Sequence, residues 1–324
     1  MPQGRQGHEG RLATARQPRA RLGARPTETL HPLARRVDGL STRAFLALLH
    51  REDLRAVRAV GRALPSLTRA CEAATASLRQ GGRLIYVGAG TSGRLAALDA
   101  AECPPTFGVR PDRVIALVAG GPRALRQAVE GAEDDAKAGA GALARLRPTR
   151  RDTVVGVTAS GDTPFVLGAL RAARRQRCTC VVVAGALPPA TRRVTDIQVL
   201  LETGPEVLQG STRLKAGTAA KLALNAISTR ALAASGHVLL GRMVELRPTS
   251  EKLRQRAVRI VAELARLPGR RAAALLRQAG SVKVALVMAA RGTDGPGARA
   301  LLRAARGDLP EVLGKKFLSA AGRG

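Results

Sequence analysis

The chain has 324 residues, of which 45% are hydrophobic, and it carries a formal net charge of +30 at pH 7. This length and hydrophobic fraction exclude wholesale disorder and predict one large α/β domain with a smaller unit. No apolar run approaches the roughly 18 residues of a membrane-spanning helix. The arginine-rich residues 1–26 also lack the apolar stretch of a secretory signal.

The positive charge raises the question of a nucleic-acid partner. The 54 basic residues are 47 arginines and 7 lysines, spread along the chain, and aromatic residues make up only 2%. Because aromatic side chains supply the stacking surfaces for single strands, we expect no specific nucleic-acid partner. We expect no membrane partner either, because the chain has no apolar run long enough to span a bilayer. The four cysteines are too few and too unevenly spaced for a disulfide framework, which favours a cytoplasmic location.

The first part of the chain is predicted to be a tail followed by helices. Residues 1–26 predict a disordered basic tail, with a mitochondrial transit peptide as the alternative. A helix is predicted to begin at a Ser41-Thr42 N-cap. A second helix is predicted from about residue 52 to residue 78, where Pro65 should kink or split it.

Five short apolar runs follow, separated mostly by helical segments. The runs cover residues 84–87, 114–118, 154–157, 181–183 and 197–201, and the helices between them are predicted over 95–101, 124–146 and 164–177. Continuous apolar strands that alternate with helices predict an α/β fold with a doubly wound parallel five-stranded sheet. Ligands of such sheets bind beyond the carboxyl ends of the strands. After residue 210 the pattern is helical, over 214–232, 250–267 and several shorter segments.

Two loops at the carboxyl ends of the predicted strands are rich in glycine and hydroxyl groups. The first strand is followed by Gly88-Ala89-Gly90-Thr91-Ser92-Gly93, and the third by Ala159-Ser160-Gly161-Asp162-Thr163-Pro164. Glycine admits close approach of the backbone, and a helix N-terminus with hydroxyls donates to an anion, so the pair favours a phosphorylated small molecule over two helix caps. A dinucleotide is less favoured, because the second strand ends without the acid that holds a ribose.

A third polar loop, Gly210-Ser211-Thr212-Arg213-Leu214-Lys215, opens the next helix. Ser211 or Thr212 could cap that helix. Lys215 is the better candidate for binding an anion because lysine is rare in this chain, although its charge could equally be solvated. The four histidines are isolated from other metal-ligating residues, so we expect no metal.

The candidate catalytic residues are carboxylates. Glu102 is predicted to lie just past a helix end, where the following two prolines would hold the backbone. Glu130, Glu133, Asp134 and Asp135 form an acidic cluster. Crowding of like charges raises the pKa of at least one carboxyl, as proton transfer near neutral pH requires. A solvated acidic helix face is the alternative.

Several of these segments resemble the N-acetylmuramic acid 6-phosphate etherase family. They are residues 88–95, 99–108, 119–121, 128–135 and 204–218, and the resemblance runs from about residue 27 to about residue 315. The animal glucokinase regulatory protein shares much of the same pattern. The resemblance implies a phosphosugar-binding sugar isomerase (SIS) domain over 27–248, a helical region over 249–324, a homodimer, and no metal or organic cofactor.

The resemblance also implies a reaction, in which D-lactate leaves the C3 ether of N-acetylmuramate 6-phosphate and N-acetylglucosamine 6-phosphate remains, during recycling of cell-wall amino sugars. By this resemblance Glu102 aligns with the proton donor to the leaving lactate, and Glu133 aligns with the second catalytic residue, the base at C2. The expected substrate-binding residues are Gly90, Thr91, Ser92, Ser160, Gly161, Thr163, Ser211 and Lys215.

Two positions depart from the family pattern. Asp162 stands where the family usually has arginine, and Ala101 stands where it usually has serine. An aspartate beside a phosphate is repulsive unless its side chain points away or caps the helix. Three alternatives to an etherase stay open: a non-catalytic phosphosugar sensor, an aldose–ketose isomerase on the same fold, and a nucleic-acid-binding regulator.

Overall fold

The computed structural model describes residues 28–246, 250–305 and 307–322, so the predicted tail at 1–26 lies outside the described residues. Helix α1 spans Thr42–Arg62, and the hydroxyl of its N-cap Ser41 accepts a hydrogen bond from the amide of Ala44. Helix α2 spans Leu64–Arg79, with Pro65 in its first turn. The split at Pro65 is therefore confirmed, but the predicted boundary near residue 52 is wrong because α1 continues through it.

The chain then alternates between strands and helices. The elements are β1 Leu84–Gly88, α3 Gly90–Phe107, β2 Val114–Val118, α4 Ala136–Arg145, β3 Thr153–Thr158, α5 Pro164–Arg175, β4 Thr179–Ala184, α6 Pro189–Arg192, β5 Ile197–Leu200 and α7 Lys215–Leu232. The strands form one sheet in the order β2-β1-β3-β4-β5, and every pair is parallel. The predicted doubly wound five-stranded sheet is confirmed.

Both faces of the sheet are buried, which explains why its strands are continuously apolar. Alternate residues of β1 enter different cores: Tyr86 packs with α2, α3 and α7, whereas Val87 packs with α5. Helices α4 and α5 approach each other closely at Gly139. A Cβ at this position would lie only 2.0 Å from the carbonyl oxygen of Phe165, so glycine permits the approach.

The segment between β2 and α4 differs from the prediction of one helix over 124–146. It contains two short 3-10 turns, Gly121–Leu125 and Ala132–Asp134, and only then α4. Gly120 and Gly131 both adopt positive φ, which interrupts a helix. The Arg94 side chain of α3 fixes the segment by donating to the carbonyl oxygens of Ala124 (2.9 Å) and Gln127 (3.2 Å).

The rest of the described chain is a hairpin followed by helices. The elements are β6 Val238–Leu239, β7 Arg242–Met243, α8 Glu251–Ala265, α9 Gly269–Ala279, α10 Val282–Arg291, α11 Gly295–Ala304 and α12 Leu309–Ala321. These helices share one apolar cluster, which also includes Leu239, Val244 and Leu246. The helical C-terminal region is thus confirmed, while the boundary at residue 249 stays a prediction.

The described helices were also compared with the dimensions of a membrane span. None of them alone is long and apolar enough to cross a bilayer; α9 and α10 pass that test only as a pair, bent by 110°.

Candidate functional site

The strand order reverses between β1 and β3, because the chain leaves β1 for β2 on one side and returns to β3 on the other. In sheets of this order, ligands bind where the loops after these two strands diverge. The two glycine-rich loops predicted to bind phosphate follow β1 and β3. The structure therefore places Gly90, Thr91 and Ser92 at the same edge of the sheet as the loop of residues 159–163.

The loop after β1 is short and tightly packed. Gly90 adopts φ +52°, and a Cβ on Gly93 would lie 2.8 Å from the carbonyl oxygen of Gly88. Ala89 is the N-cap of α3 and supplies no side-chain cap. The first amides of α3, together with its positive dipole end, therefore face this edge, an arrangement that suits an anion.

The polar loops meet around one small cavity. Ser92, Thr158 and Thr212 all line it, and its volume is about 20 Å³. This volume accommodates a water molecule and not a sugar phosphate, so a sugar would bind on the open side of the loops. The methyl group of Thr91 faces α7, since a Cβ on Gly217 would lie 3.4 Å from it.

The loop after β3 is held together by Thr158, a buried residue that the sequence analysis missed. Its hydroxyl lies 2.7 Å from that of Thr163 and 3.4 Å from that of Ser160, and it accepts a hydrogen bond from the amide of Gly161 at 3.2 Å. Gly161 adopts φ +85°, and a Cβ there would lie 2.1 Å from the carbonyl oxygen of Ala186. The residue must therefore be glycine.

Asp162 lies between these hydroxyl residues and is half-buried. Its amide donates to the hydroxyl of Ser160 at 3.4 Å. The residue precedes Thr163, the N-cap of α5, and a negative charge is favourable near a helix N-terminus. The same charge opposes a phosphate placed there.

The N-terminus of α7 is already occupied by a carboxylate. Glu206 is buried and accepts hydrogen bonds from the amides of Lys215 (3.3 Å) and Ala216 (2.9 Å). The expectation that Ser211 or Thr212 caps this helix is wrong, because neither provides a side-chain cap and Glu206 reaches the amides instead. Burial raises the pKa of Glu206 despite these hydrogen bonds.

Lys215 is buried, and its ammonium group forms an ion pair with Glu52 of α1. Glu52 also contacts His31 and Arg55, at 3.4 and 3.2 Å. Burial by itself would raise the pKa of Glu52, but Lys215, together with Arg55 and His31, outweighs this effect, and the pKa lies below its usual value. In this structure Lys215 joins α7 to α1; its assignment to the substrate stays a prediction. Ser211 is half-buried in the loop that precedes it.

Glu133 lies in the 3-10 turn before α4 and is exposed. The preceding Ala132 packs against the apolar cluster that contains Phe165 of α5. Glu133 is therefore on the side of the sheet edge where the loop after β3 opens α5. Its neighbour Asp135 has a separate structural role, since its carboxylate caps α4 by accepting from the amide of Ala138 at 2.8 Å.

Glu102 lies far from this edge. The prediction that it follows a helix end is wrong, because α3 continues through Pro104 and Pro105 to Phe107. At a rise of 1.5 Å per residue, Glu102 is about 18 Å along α3 from Gly90. The structure thus brings the predicted phosphate ligands together but does not bring Glu102 to them.

Relatives of known name cover nearly the whole chain. An N-acetylmuramic acid 6-phosphate etherase of Salmonella agona (strain SL483) is 46% identical over 293 residues, which are 90% of this chain and 99% of that protein. The chain belongs to the N-acetylmuramic acid 6-phosphate etherase family. The etherase of Salmonella choleraesuis (strain SC-B67) matches to the same extent. Residues 66–174 of this family member also match the model of the glucokinase regulatory protein N-terminal SIS domain.

Solved structures resemble the etherase-family chain more distantly. A phosphoheptose isomerase from Francisella tularensis aligns with a TM-score of 0.46 at 19% identity, covering 59% of this chain and 98% of that one. The phosphoheptose isomerase GmhA from Neisseria gonorrhoeae aligns with a TM-score of 0.44 at 17% identity, covering 58% and 97%.

The part of the etherase-family chain that the structure describes contains no group of three or more histidine, cysteine, aspartate or glutamate side chains arranged to hold a metal ion. Its polar edge consists of backbone amides and hydroxyl groups, with the half-buried Asp162 among them and the exposed carboxylate of Glu133 on one side. This donor set suits a phosphate monoester, and the roles of the individual residues stay predictions.

Proposed function

We propose that the chain is an N-acetylmuramic acid 6-phosphate etherase, a carbon–oxygen lyase that releases D-lactate and leaves N-acetylglucosamine 6-phosphate. The observation that carries the proposal is the 46% identity to etherases over 90% of the chain. The two hydroxyl-rich loops at the switch point of the sheet support it, because they suit the 6-phosphate of such a substrate.

The phosphate-binding edge comprises the first turns of α3 and α5. The amides of these turns and the hydroxyls of Ser92, Ser160 and Thr163 would donate hydrogen bonds to the phosphate oxygens. No lysine or arginine is needed, since helix dipoles and neutral donors stabilise the anion. We assign Thr91 to shaping the loop as well as to binding, because its methyl group packs against α7.

The first chemical step is an elimination on the open-chain sugar. The C1 aldehyde acidifies the C2 proton, and Glu133 as a carboxylate takes that proton. The C2–H electron pair forms the C2–C3 double bond, the C3–O bond breaks, and Glu102 protonates the departing lactyl oxygen. Glu102, now a carboxylate, then takes a proton from water as the hydroxide adds to C3, and the proton held by Glu133 returns to C2. Both glutamates regain their starting protonation states, and a hydroxyl group has replaced the lactyl ether.

Glu102 and the phosphate-binding edge of one chain lie toward opposite ends of α3, about 18 Å apart along its axis. We therefore propose a homodimer in which Glu102 protonates the substrate bound to the partner subunit. An exposed apolar side chain supports an interface on this side: Leu98, one helical turn before Glu102, is 55% exposed. Sedimentation velocity should give twice the chain mass of 33.8 kDa.

We also propose a cytoplasmic location. All four cysteines are free and buried, as expected for a protein of a reducing compartment. Burial raises the pKa of Cys103 and of Cys180 to about 12, so these thiols are inert at neutral pH. Fractionation of cells that express the full chain should recover it in the cytosolic fraction.

The test of the function is an assay of D-lactate release from N-acetylmuramate 6-phosphate. Stoichiometric lactate and N-acetylglucosamine 6-phosphate would support the etherase. Binding of the substrate without lactate would contradict it and favour a phosphosugar sensor. Conversion of an aldose phosphate to a ketose phosphate with the lactyl group retained would favour an isomerase.

A further inference from the structure

Asp99 is a buried carboxylate that the proposed chemistry does not use. It is 5% exposed and lies on the inward face of α3. Its Oδ2 accepts a hydrogen bond from the hydroxyl of Tyr86 at 2.9 Å. Its Oδ1 accepts from the amide of Asn225 at 2.6 Å and from the hydroxyl of Ser228 at 3.1 Å. All three donors are neutral, and a carboxylate in such surroundings is costly to bury, so its presence indicates a requirement beyond packing.

The three donors come from two rigid neighbours of α3. Tyr86 is on β1, which lies between β2 and β3 in the sheet, and its side chain is fully buried. Burial raises the pKa of Tyr86 well above its usual value, so the phenol stays protonated and donates. Asn225 and Ser228 are on α7, one helical turn apart. Asp99 therefore connects α3 to the sheet on one side and to α7 on the other.

The part of α3 that follows Asp99 has a weakened backbone. Pro104 and Pro105 have no N–H, so the carbonyl groups of Ala100 and Ala101 receive no helical hydrogen bond from them. These two carbonyl groups immediately precede Glu102. The helix continues past the two prolines to Phe107, and the amide of Gly108 donates to the carbonyl of Pro104 at 2.9 Å.

Asp99 and Glu102 lie in the same helical turn, about 60° from each other around the helix axis. Asp99 points into the core, whereas Glu102 is exposed. A further contact closes this turn, since the thiol of Cys103 donates to the carbonyl of Asp99 at 3.2 Å. Because backbone hydrogen bonds are missing around Glu102, the tertiary hydrogen bonds of Asp99 fix the rotation of this turn about the helix axis.

We propose that Asp99 is a positioning residue for Glu102: through Tyr86, Asn225 and Ser228 it sets the direction in which α3 presents the Glu102 carboxyl group. The proposal rests on the proposed function, in which Glu102 is the proton donor. We expect this buried network to affect kcat and not substrate binding, because in the proposed homodimer the phosphate of the sugar that Glu102 protonates is held by the loops of the partner subunit.

The kinetic test compares Asp99→Ala, Asp99→Asn and Tyr86→Phe. Asp99→Ala should lower kcat about 100-fold, since a displacement of about 1 Å of a catalytic group has effects of this size. KM should stay within about twofold of wild type. Asp99→Asn keeps one carbonyl acceptor and should recover part of the loss. Tyr86→Phe removes a single donor, should fold, and should lower kcat about tenfold.

A matched control separates positioning from general destabilisation. Ser77 and Thr153 form a buried hydroxyl pair between α2 and β3, with their oxygens 2.7 Å apart. Ser77→Ala removes a buried hydrogen bond, as Tyr86→Phe does, from a pair that includes no residue of α3. It should lower the melting temperature to a similar extent and leave kcat unchanged. An equal loss of kcat in both variants would overturn the proposal.

Hydrogen exchange provides a test that does not depend on activity. In Tyr86→Phe and Asp99→Asn, the amides of residues 100–103 and 106–108 should exchange faster, while those of residues 93–96 and of α5 keep their protection. Uniform loss of protection, or none, would overturn the proposal even if the wild-type chain released no lactate. Absence of lactate with faster local exchange would instead contradict the proposed function alone.

Discussion

The two ends of α3 differ in the chemical groups that they present and in their backbone hydrogen bonding. At the N-terminal end, Gly90 and Ser92 present backbone amides and a hydroxyl, with no formal charge. Toward the C-terminal end, Glu102 presents a carboxyl group beside two prolines that interrupt the helical hydrogen bonds. In the proposed function, one helix therefore carries an anion-binding end and an acidic end, about 18 Å apart along its axis.

In the proposed function, binding and proton transfer are therefore separable functions of α3. Changes at the N-terminal end and in the neighbouring loop after β3 should alter KM. Changes around Glu102 should alter kcat. Changes in buried networks remote from α3 should alter stability alone. Each of the following predictions tests whether effects on KM, kcat and stability can be separated in this way.

The largest effect is expected at the carboxylates. Glu102→Gln should lower kcat about 1,000-fold, because a glutamine cannot donate the proton to the leaving lactate, and KM should change little. Glu102 is exposed, so the melting temperature should be unchanged. Steady-state assays of D-lactate release measure both constants. A large rise in KM with unchanged kcat would assign Glu102 to binding.

Glu133→Gln should lower kcat by a similar factor, about 1,000-fold, since it removes the base that takes the C2 proton. The matched control is Asp134→Asn, which changes the adjacent exposed carboxylate in the same 3-10 turn. The control should retain activity. Exchange of the C2 proton with deuterated solvent, followed by NMR, should disappear only in Glu133→Gln, and equal loss in the control would refute the assignment.

A smaller effect is expected from Gly161→Ala in the loop after β3. The new Cβ would lie 2.1 Å from the carbonyl oxygen of Ala186 at a backbone φ of +85°, so the loop must move. KM should rise about 10- to 100-fold. Gly210→Ala is the control, because that glycine also has positive φ, +73°, but nothing lies within 4 Å of its added Cβ. Both variants carry the same backbone strain, and only the first should weaken binding.

Asp162→Arg should lower KM about tenfold, since it replaces a repulsive charge beside the phosphate with one that forms charge-assisted hydrogen bonds. Asp162→Asn separates the two contributions, because it removes the negative charge without adding a positive one. Raising the salt concentration should weaken the improvement in the arginine variant. No change in KM in either variant would place the phosphate away from this loop.

The smallest effect on activity is expected from His31, in the network with Glu52 and Lys215. Burial lowers the pKa of His31 below 6.5, although Glu52 opposes this shift. The unfolded chain therefore binds this proton at higher pH than the folded chain, so stability declines as pH falls below 6.5 toward the lower folded pKa. Between pH 7.5 and pH 5.5, the urea midpoint of His31→Asn should fall less than that of wild type. An equal fall of the urea midpoint in the two proteins would exclude His31 as the source of this pH dependence.

The sheet and the phosphate loops could be predicted from the sequence because their signals are local. Runs of β-branched residues mark the five strands, and glycines beside hydroxyl residues mark the loops after β1 and β3. The path of α3 could not be predicted in the same way. Pro104 and Pro105 indicate a helix end, but the packing of Phe107 and Cys103 in the core keeps the helix intact past them.

The partners of the buried polar groups also could not be predicted, because they are distant in sequence. Glu206 caps α7 from outside the helix, and Glu52 pairs with Lys215 from α1, 163 positions away. Thr158 is the last residue of a strand, where a threonine needs no special explanation. Only the fold brings such residues into contact, so no local spacing identifies them.

The central claim, that one chain's Glu102 serves its partner's substrate, can be tested by mixing two inactive variants. Glu102→Gln and Glu133→Gln chains, differently tagged, should be refolded together and the mixed dimers verified by tandem affinity capture. In each mixed dimer one of the two sites would have both carboxylates. Because random pairing makes about half of the dimers mixed, the whole mixture should recover about a quarter of wild-type D-lactate release. Mixed dimers that release no lactate would contradict the account and place both carboxylates in the same chain's site.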